Sequence, residues 1–500
     1  MHKTLKSDLF AIIDLGSNSF HLVLYKATGT RRLVIGKHRE MIQLAAGLTA
    51  EKSLTKDTEQ KAFRCLEKFS ALIKGIPDTN IRSVGTKTLR EIRSGTFLET
   101  CSRILGKTID IVSGHEEARL VYLGVRDSYN LVDKQLLTID VGGASTEFAL
   151  GKQARPEFSE SLNIGCVTYA KRYGLNNPDS ISSQAMRTVA LDVRQSVLKL
   201  SYRLDGANWE TVYGCSGTIK AIARLIGGGQ DIAEITTQEM DVLFTRACAG
   251  DPLHEALDTS NRANVIYSGI AIVKGIFDAL SLSALHVSDA NLKEGLLFEM
   301  ISGGSNTDQA DESVRLLASK HRADIAQMKR VATLSHQFWE HLGPLHSSLA
   351  AMGIDASRLL EWSAQLHEIG LDLAFKHYHK HSFYIVRHSN LAGLNRMQQR
   401  TLSALLLAQR KNPAALAKVL NDSSVIAALY PLLLCLRLAI ALNRGRSDTL
   451  EPKIRLEYLS GSHATQTHLS INIDETDELV KSTLSREVRY WSNVSELILH

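Results

Sequence analysis

Paired cysteines, an apolar leader and a dense charge of one sign are all missing from this chain. Its six cysteines, Cys65, Cys101, Cys166, Cys215, Cys248 and Cys435, are scattered, and no two stand in Cys-x-x-Cys spacing. That argues against a zinc site and a disulfide framework, and it fits a reducing compartment. The opening residues, MHKTLKSDLF, hold no apolar stretch of the kind a secretory signal needs. Net charge is +5, a mild excess that suits a polyanionic ligand but lacks the dense basic face of a nucleic-acid binder. One apolar run, Val425 to Leu442, is long enough to raise the membrane question, but Pro431 and Arg437 lie inside it. A buried helix is the better reading. The expectation is a cytoplasmic protein that meets neither nucleic acid nor membrane.

What is present is an ordinary globular composition, 44% hydrophobic and 22% charged, over 500 residues. That length exceeds a single core and calls for several domains. Apolar runs such as Phe10–Ile13, Phe20–Tyr25, Ile109–Val112, Leu136–Ile139, Thr211–Tyr213 and Ala284–Val287 read as strands. Glu59–Ile73 and Ser183–Arg203 between them carry helical periodicity. The polar stretch Ser302–Asp311 reads as a linker. Beyond it Ser313–Trp339, Ala356–Glu368, Arg396–Gln409 and Val425–Leu442 are helical in period. The tail alternates in Ile454–Leu459 and His468–Ile473 and closes on a helix near Glu475–Trp491. The expected blocks are two α/β lobes over 1–125 and 126–305, a helical domain over 306–447 and a small α+β domain over 448–500.

One pattern occurs twice. Asp14-Leu-Gly-Ser-Asn-Ser19 and Asp140-Val-Gly-Gly-Ala-Ser-Thr146 each follow an apolar strand and precede another. Glycines let backbone N–H groups approach phosphate oxygens, and small hydroxyls add donors. Ser17, Asn18 and Ser19 would grip one phosphate; Gly142, Gly143, Ala144, Ser145 and Thr146 would grip another. Asp14 and Asp140 sit where a carboxylate can hold a hydrated Mg²⁺. A single copy is more readily a hairpin turn. Two copies with matching flanks point to a duplicated lobe facing itself across a cleft.

A third loop, Gly214-Cys-Ser-Gly-Thr218, runs from a strand into a helix, a natural anion site through Gly214, Ser216, Gly217 and Thr218. The stretch Ile111-Val-Ser-Gly-His-Glu-Glu-Ala-Arg119 opens a helix capped by Ser113 and Gly114. Acidic residues in a first turn are favoured by the helix dipole anyway, so Glu116 and Glu117 also have a bland explanation. Arg90 and Arg262 are candidate non-titrating cations, although isolated arginines are usually solvated or locally paired.

Taken together these motifs resemble the exopolyphosphatase/guanosine pentaphosphate phosphohydrolase family, over essentially the whole chain. Ala11-Ile-Ile-Asp-Leu-Gly-Ser-Asn-Ser-Phe-His-Leu22, Gly114-His-Glu-Glu-Ala-Arg119, Ile139–Glu147 and Gly214–Thr218 carry the likeness. The resemblance implies an actin-like, ribonuclease-H-like two-lobed α/β core followed by an all-α HD-like domain and a small α+β domain. It implies Glu117 as general base, and Asp140 with Asp14 and Glu147 as the carboxylates around Mg²⁺. Arg90 and Arg262 look like phosphate-contacting arginines. His21 stands where some members have arginine. The fourth loop, Asn291-Leu-Lys-Glu-Gly295, departs from the usual Ala-Leu-Arg-Glu-Gly, and Lys293 receives no role. Leu366-His-Glu-Ile-Gly370 stands where an HD enzyme has His-Asp, with His336 upstream; the expected role of this block is structural and dimer-forming. Lys376-His-Tyr-His-Lys-His-Ser382 and Arg387-His388 read as a solvated loop or a basic surface for a polyanion.

The expected reaction is removal of a terminal phosphate from guanosine pentaphosphate, or alternatively from inorganic polyphosphate, in a homodimer. A sugar-kinase-type phosphotransferase and a non-catalytic nucleotide sensor are the rivals.

Overall fold

The computed structural model describes residues 9–28, 31–93, 95–178, 181–204, 209–256, 260–302, 306–345, 349, 354–389, 391, 393–446, 454–459, 468–473, 478–492, 494 and 497–499. The chain forms two compact units, residues 1–305 and 306–500.

The first unit contains two sheets built on one plan. Strands β1 (Leu9–Leu15), β2 (Ser19–Thr28), β3 (Arg31–Met41), β4 (Ile81–Gly85) and β5 (Asp110–Ile111) take the order β3-β2-β1-β4-β5. Strands β6 (Leu136–Val141), β7 (Thr146–Gly151), β8 (Phe158–Leu162), β9 (Thr211–Cys215), β10 (Glu234–Thr236) and β11 (Ala284–Val287) take the order β10-β11-β9-β6-β7-β8. In each sheet an antiparallel meander leads back to a central strand that is then joined in parallel, β1 by β4 and β6 by β9. This is the duplicated, actin-like pair of lobes, and β10 is an addition to the second.

Each lobe has its own apolar core. In the first, helix Lys56–Leu72 buries Ala62, Cys65, Leu66 and Phe69, a stripe at helical spacing. In the second, Val189 and Val193 of helix Ser183–Leu198 lie against helix Ser260–Leu280, where a Cβ on Gly275 would crowd Val193. Helix Gly114–Ser128 and helix Leu292–Ser302 cross closely, because neither Gly124 nor Gly295 has a Cβ to hold the backbones apart. A buried ion triad locks that crossing: Arg119 donates to Glu116 at 2.7 and 2.8 Å and pairs with Glu299.

The second unit is helical, followed by strands β12 (Ile454–Leu459), β13 (His468–Ile473) and β14 (Leu497–Leu499) and helix Glu478–Trp491. Two expectations need correction. Helix Asn306–Lys320 occupies part of the stretch read as a linker, and the run read as helical over Ser313–Trp339 is two helices, parted where Arg322 takes a φ of 50°. The apolar helix Ser423–Leu442 is buried, and Arg437 inside it is satisfied by Glu487 at 2.8 Å and the Ala408 carbonyl at 2.6 Å. A second helical stretch, Ala263–Leu280, is also long and apolar enough to span a membrane, and like the first it is mostly buried within its own unit.

Candidate functional site

The two Asp-x-Gly hairpins have the same internal construction. Gly16 N–H donates to Ser19 O at 3.2 Å, and Gly142 N–H donates to Ser145 O at 2.9 Å. In the first, the Ser17 carbonyl accepts from Ala45 N and the Asn18 carbonyl from Ile42 N and Gln43 N. In the second, the Gly142 carbonyl accepts from Cys166 N, and the Gly143 carbonyl from Val167 N and Thr168 N. A trans peptide sets its N–H opposite its C=O. The N–H groups of Asn18, Ser19, Gly143 and Ala144 therefore face away from the segments that hold the carbonyls. The hairpins also meet: a Cβ on Gly143 would lie 3.5 Å from Asn18 Cβ and 3.6 Å from Ser17 Cβ. Two amide-lined turns thus share one narrow gap.

Below that gap lies an acidic centre. Asp140 and Glu147 stand opposite each other across β6 and β7, and Asp14 stands opposite His21 across β1 and β2. Glu117 enters from the first turn of helix Gly114–Ser128, whose N-terminus Ser113 caps by accepting from Glu116 N. All four carboxyls are held above their ordinary values, and burial is the largest cause for each. Asp140 is pushed up to about 7 by burial and by repulsion from Glu117 and Asp14, against the pull of Lys293. Glu147 is raised further by Glu117 and Asp140, although Ser161 donates to it at 2.7 Å. Arg90 opposes the rise at Glu117, donating to it at 3.0 Å and to the Val112 carbonyl at 2.7 Å.

This donor set suits a hard divalent cation. Its ligands are carboxyl oxygens, with Arg90 beside Glu117 and Lys293 beside Asp14. No group of three or more His, Cys, Asp or Glu among the described residues forms a ready-made cage.

Other expected residues take supporting positions. Ser19 Oγ lies 2.8 Å from His21 Nε2, tying the histidine to the first hairpin. Thr146 is fully buried and donates to the Ile164 carbonyl at 2.6 Å, so its hydroxyl braces the second hairpin from behind. In the third loop Ser216 has a φ of 94°, a strained value for a residue with a side chain. Its Oγ accepts from Thr218 N and Ile219 N, capping the helix that follows. Gly214 is packed against Leu285, and Thr218 Oγ lies 3.7 Å from Cys166 Sγ, beside the second hairpin. Gly217 is half-buried, and the side chain of Arg262 lies outside the described residues.

Known proteins resemble this chain over nearly its whole length. The profile of the Ppx/GppA phosphatase family matches residues 23–303, and that of Ppx/GppA phosphatase domain III matches residues 310–488. A guanosine-5'-triphosphate,3'-diphosphate pyrophosphatase of Vibrio cholerae is 32% identical over 97% of this chain and 96% of its own. The chain belongs to the Ppx/GppA phosphatase family. Among solved structures, an exopolyphosphatase from Cytophaga hutchinsonii superposes with a TM-score of 0.53 at 20% identity, covering 59% of this chain and 98% of its own. The Aquifex aeolicus family member does so with a TM-score of 0.51 at 21% identity, covering 59% and 98%. These two likenesses report the fold. As a Ppx/GppA phosphatase the protein is a phosphoanhydride hydrolase.

In this Ppx/GppA phosphatase Lys293, which has no role on sequence grounds, places its Nζ 3.8 Å from Asp14 Oδ2. Lys87, which no motif singles out, also acts on Glu117 and donates to Asn163 at 2.5 Å. Their positive charge in motif-bearing stretches was the available signal. In the helical unit Glu368 and Asp324 both bind Arg446, at 2.8 and 2.7 Å, and buried His367 sits 2.7 Å from the Ala364 carbonyl. A guanidinium already engages the acid of the HD-like pattern.

Proposed function

We propose that this Ppx/GppA phosphatase removes the terminal 5'-phosphate of guanosine pentaphosphate, leaving guanosine tetraphosphate and inorganic phosphate. The observation that carries the reading is the meeting of two amide-lined hairpins above a carboxylate that is hydrogen-bonded to an arginine. The Vibrio cholerae relative's name favours the nucleotide as substrate.

Asp14 and Asp140, with Glu147 behind them, would hold Mg²⁺, which when bound neutralises phosphate charge that would repel a nucleophile. The N–H groups of Asn18, Ser19, Gly143 and Ala144, with Ser17 and Ser145, bind and orient the terminal phosphates, and Gly217, Thr218 and His21 border them. Glu117 takes the proton of the attacking water. Its desolvated carboxylate is more basic than an ordinary glutamate, which suits that task. Arg90 holds Glu117 in place and faces developing charge on the phosphate. The family resemblance assigns Arg262 to the same set of phosphate contacts. Glu147, buried and held by Ser161, braces the Asp140 side of the centre from behind.

Inorganic polyphosphate is the second substrate. It is favoured by the cations Lys376, Lys380, Arg410 and Lys411, which crowd His377 and His379 in the helical unit. The reading includes cytoplasmic residence and a homodimer formed through the helical unit, for which sedimentation gives the mass. Phosphate release with Mg²⁺ from guanosine pentaphosphate and from long-chain polyphosphate, beside Glu117→Ala, tests the whole. Faster release from the nucleotide, lost in the variant, is expected. Faster release from polyphosphate moves the substrate assignment and keeps the chemistry; undiminished turnover by Glu117→Ala removes the base.

A further inference from the structure

A lysine stands where helix chemistry disfavours one. Lys293 is in the first turn of helix Leu292–Ser302, the end whose partial positive charge attracts anions and repels cations. The turn is nonetheless firmly seated. Asn291 Oδ1 accepts from Lys293 N at 3.1 Å, and Glu294 Oε2 accepts from Asn291 N at 2.8 Å. Glu294 Oε1 accepts from the Tyr25 hydroxyl at 2.8 Å, and Gly295 lets the turn lie against the backbone of Leu120. These contacts bring a residue that follows the last strand of the second sheet onto Asp14 of the first.

Lys293 Nζ lies 3.8 Å from Asp14 Oδ2 with only 13% of its side chain exposed. That separation is a charge contact without a hydrogen bond. Arg90, by contrast, is fixed by bonds to both Glu117 and Val112. The Lys293 ammonium also acts on Asp140. One cation on a flexible stem therefore serves both strand-end aspartates.

We propose that Lys293 is a placeholder counter-charge for the acidic centre, occupying the field of Asp14 and Asp140 until a divalent cation arrives with the phosphate chain. The inference rests on the reading of those aspartates as the metal-holding pair. In the free protein the ammonium offsets their charge, so a divalent cation alone binds weakly. When a cation–phosphate complex enters, the four-carbon stem lets the ammonium move to a phosphate oxygen. Metal is then taken up with the substrate in preference to ahead of it. Lys293 is in this sense a positioning residue, acting on the reaction through the aspartates.

The test is Mn²⁺ binding to the full-length protein without substrate, followed by the electron paramagnetic resonance of free Mn²⁺, for the wild type, Lys293→Met and Lys293→Arg. Removing a unit charge about 4 Å from a ligand should tighten binding about tenfold or more in Lys293→Met, and Lys293→Arg should stay near the wild type. In phosphate release, Lys293→Met should raise KM, and Lys293→Arg should restore most of it. Should Lys293→Met fail to fold, Lys293→Gln carries the same comparison. Equal Mn²⁺ affinity in the wild type and the neutral variant overturns the placeholder and leaves the metal-holding aspartates standing. Equal tightening by Lys293→Arg overturns it too. Absence of Mn²⁺ binding from all three removes both readings.

Discussion

Glu117 and Arg90 face each other at 3.0 Å, while Glu116, one residue earlier on the same helix, is turned to another side into a bond with Arg119. Successive helical residues point about 100° apart, so two adjacent glutamates serve two purposes. Glu117→Gln should fold, melt at or above the wild-type temperature because a repelled buried charge is gone, and lose about 10²–10⁴ in turnover. Glu116→Ala should leave Arg119 half-paired in the core and cost about 3–5 kcal/mol. Denaturant unfolding and phosphate release on the two proteins distinguish these fates. A stable, inactive Glu116→Ala would reverse the assignment.

Arg90 is the cation that moderates Glu117, and its loss has a predictable sign. Burial raises the Glu117 carboxyl and Arg90 lowers it, so Arg90→Ala should raise it further. A general base must be ionised, so the acid limb of the pH–rate profile should move to higher pH. The maximal rate should also fall by about 10²-fold, as for other lost charge-stabilising donors. An unmoved acid limb would uncouple the pair.

Much of this site could be read in the chain because its turns are short-range chemistry. The hairpins at Asp14 and Asp140 declare themselves through glycine, small hydroxyls and flanking strands, and their equivalence needs no tertiary information. Glu116 and Glu117 cannot be told apart that way, because only the packing of Arg119 and Glu299 fixes which face of the helix is core. The charge of Lys293 is visible in the chain but its place is not, being carried to Asp14 by contacts with Tyr25 and Leu120 far away in sequence. The Thr146 hydroxyl resembled a phosphate donor until its buried acceptor, the Ile164 carbonyl, was visible. Polar residues 306–311 imitated a linker because composition does not report the amphipathic helix they begin.

Gly143 offers a steric test of the shared gap. A methyl group there would meet Val167 Cγ2 at 3.3 Å and the Cβ atoms of Asn18 and Ser17 at 3.5 and 3.6 Å. Those contacts are tight but compatible with folding. Gly143→Ala should therefore keep its melting temperature within a few degrees, roughly the effect of a substitution costing about 1 kcal/mol, and raise KM by roughly tenfold, about 1.4 kcal/mol of lost substrate binding. Gly143→Val should close the gap and abolish binding. Unaltered kinetics for both would place the phosphates elsewhere.

The helical unit carries its own pH signature in His379. The side chain is 5% exposed, and its Nδ1 has no hydrogen-bond partner among the described residues. Burial, and then Arg410, Lys380, His377 and Lys411, pull its pKa down to about 4. His367 is lowered in the same direction, chiefly by burial. For a histidine held neutral, the unfolded chain binds more protons than the folded one between the two values. The stability these groups contribute is complete above pH of about 6.5 and is lost as pH falls toward 4. Calorimetric melts should be level above neutrality and drop on acidification. His379→Gln should flatten that slope while costing stability at pH 8. An acid slope unchanged in His379→Gln would assign the sensitivity to His367 or to carboxyls held low in the same unit, Asp324 by its bond from Gln327 N and Glu361 by His336.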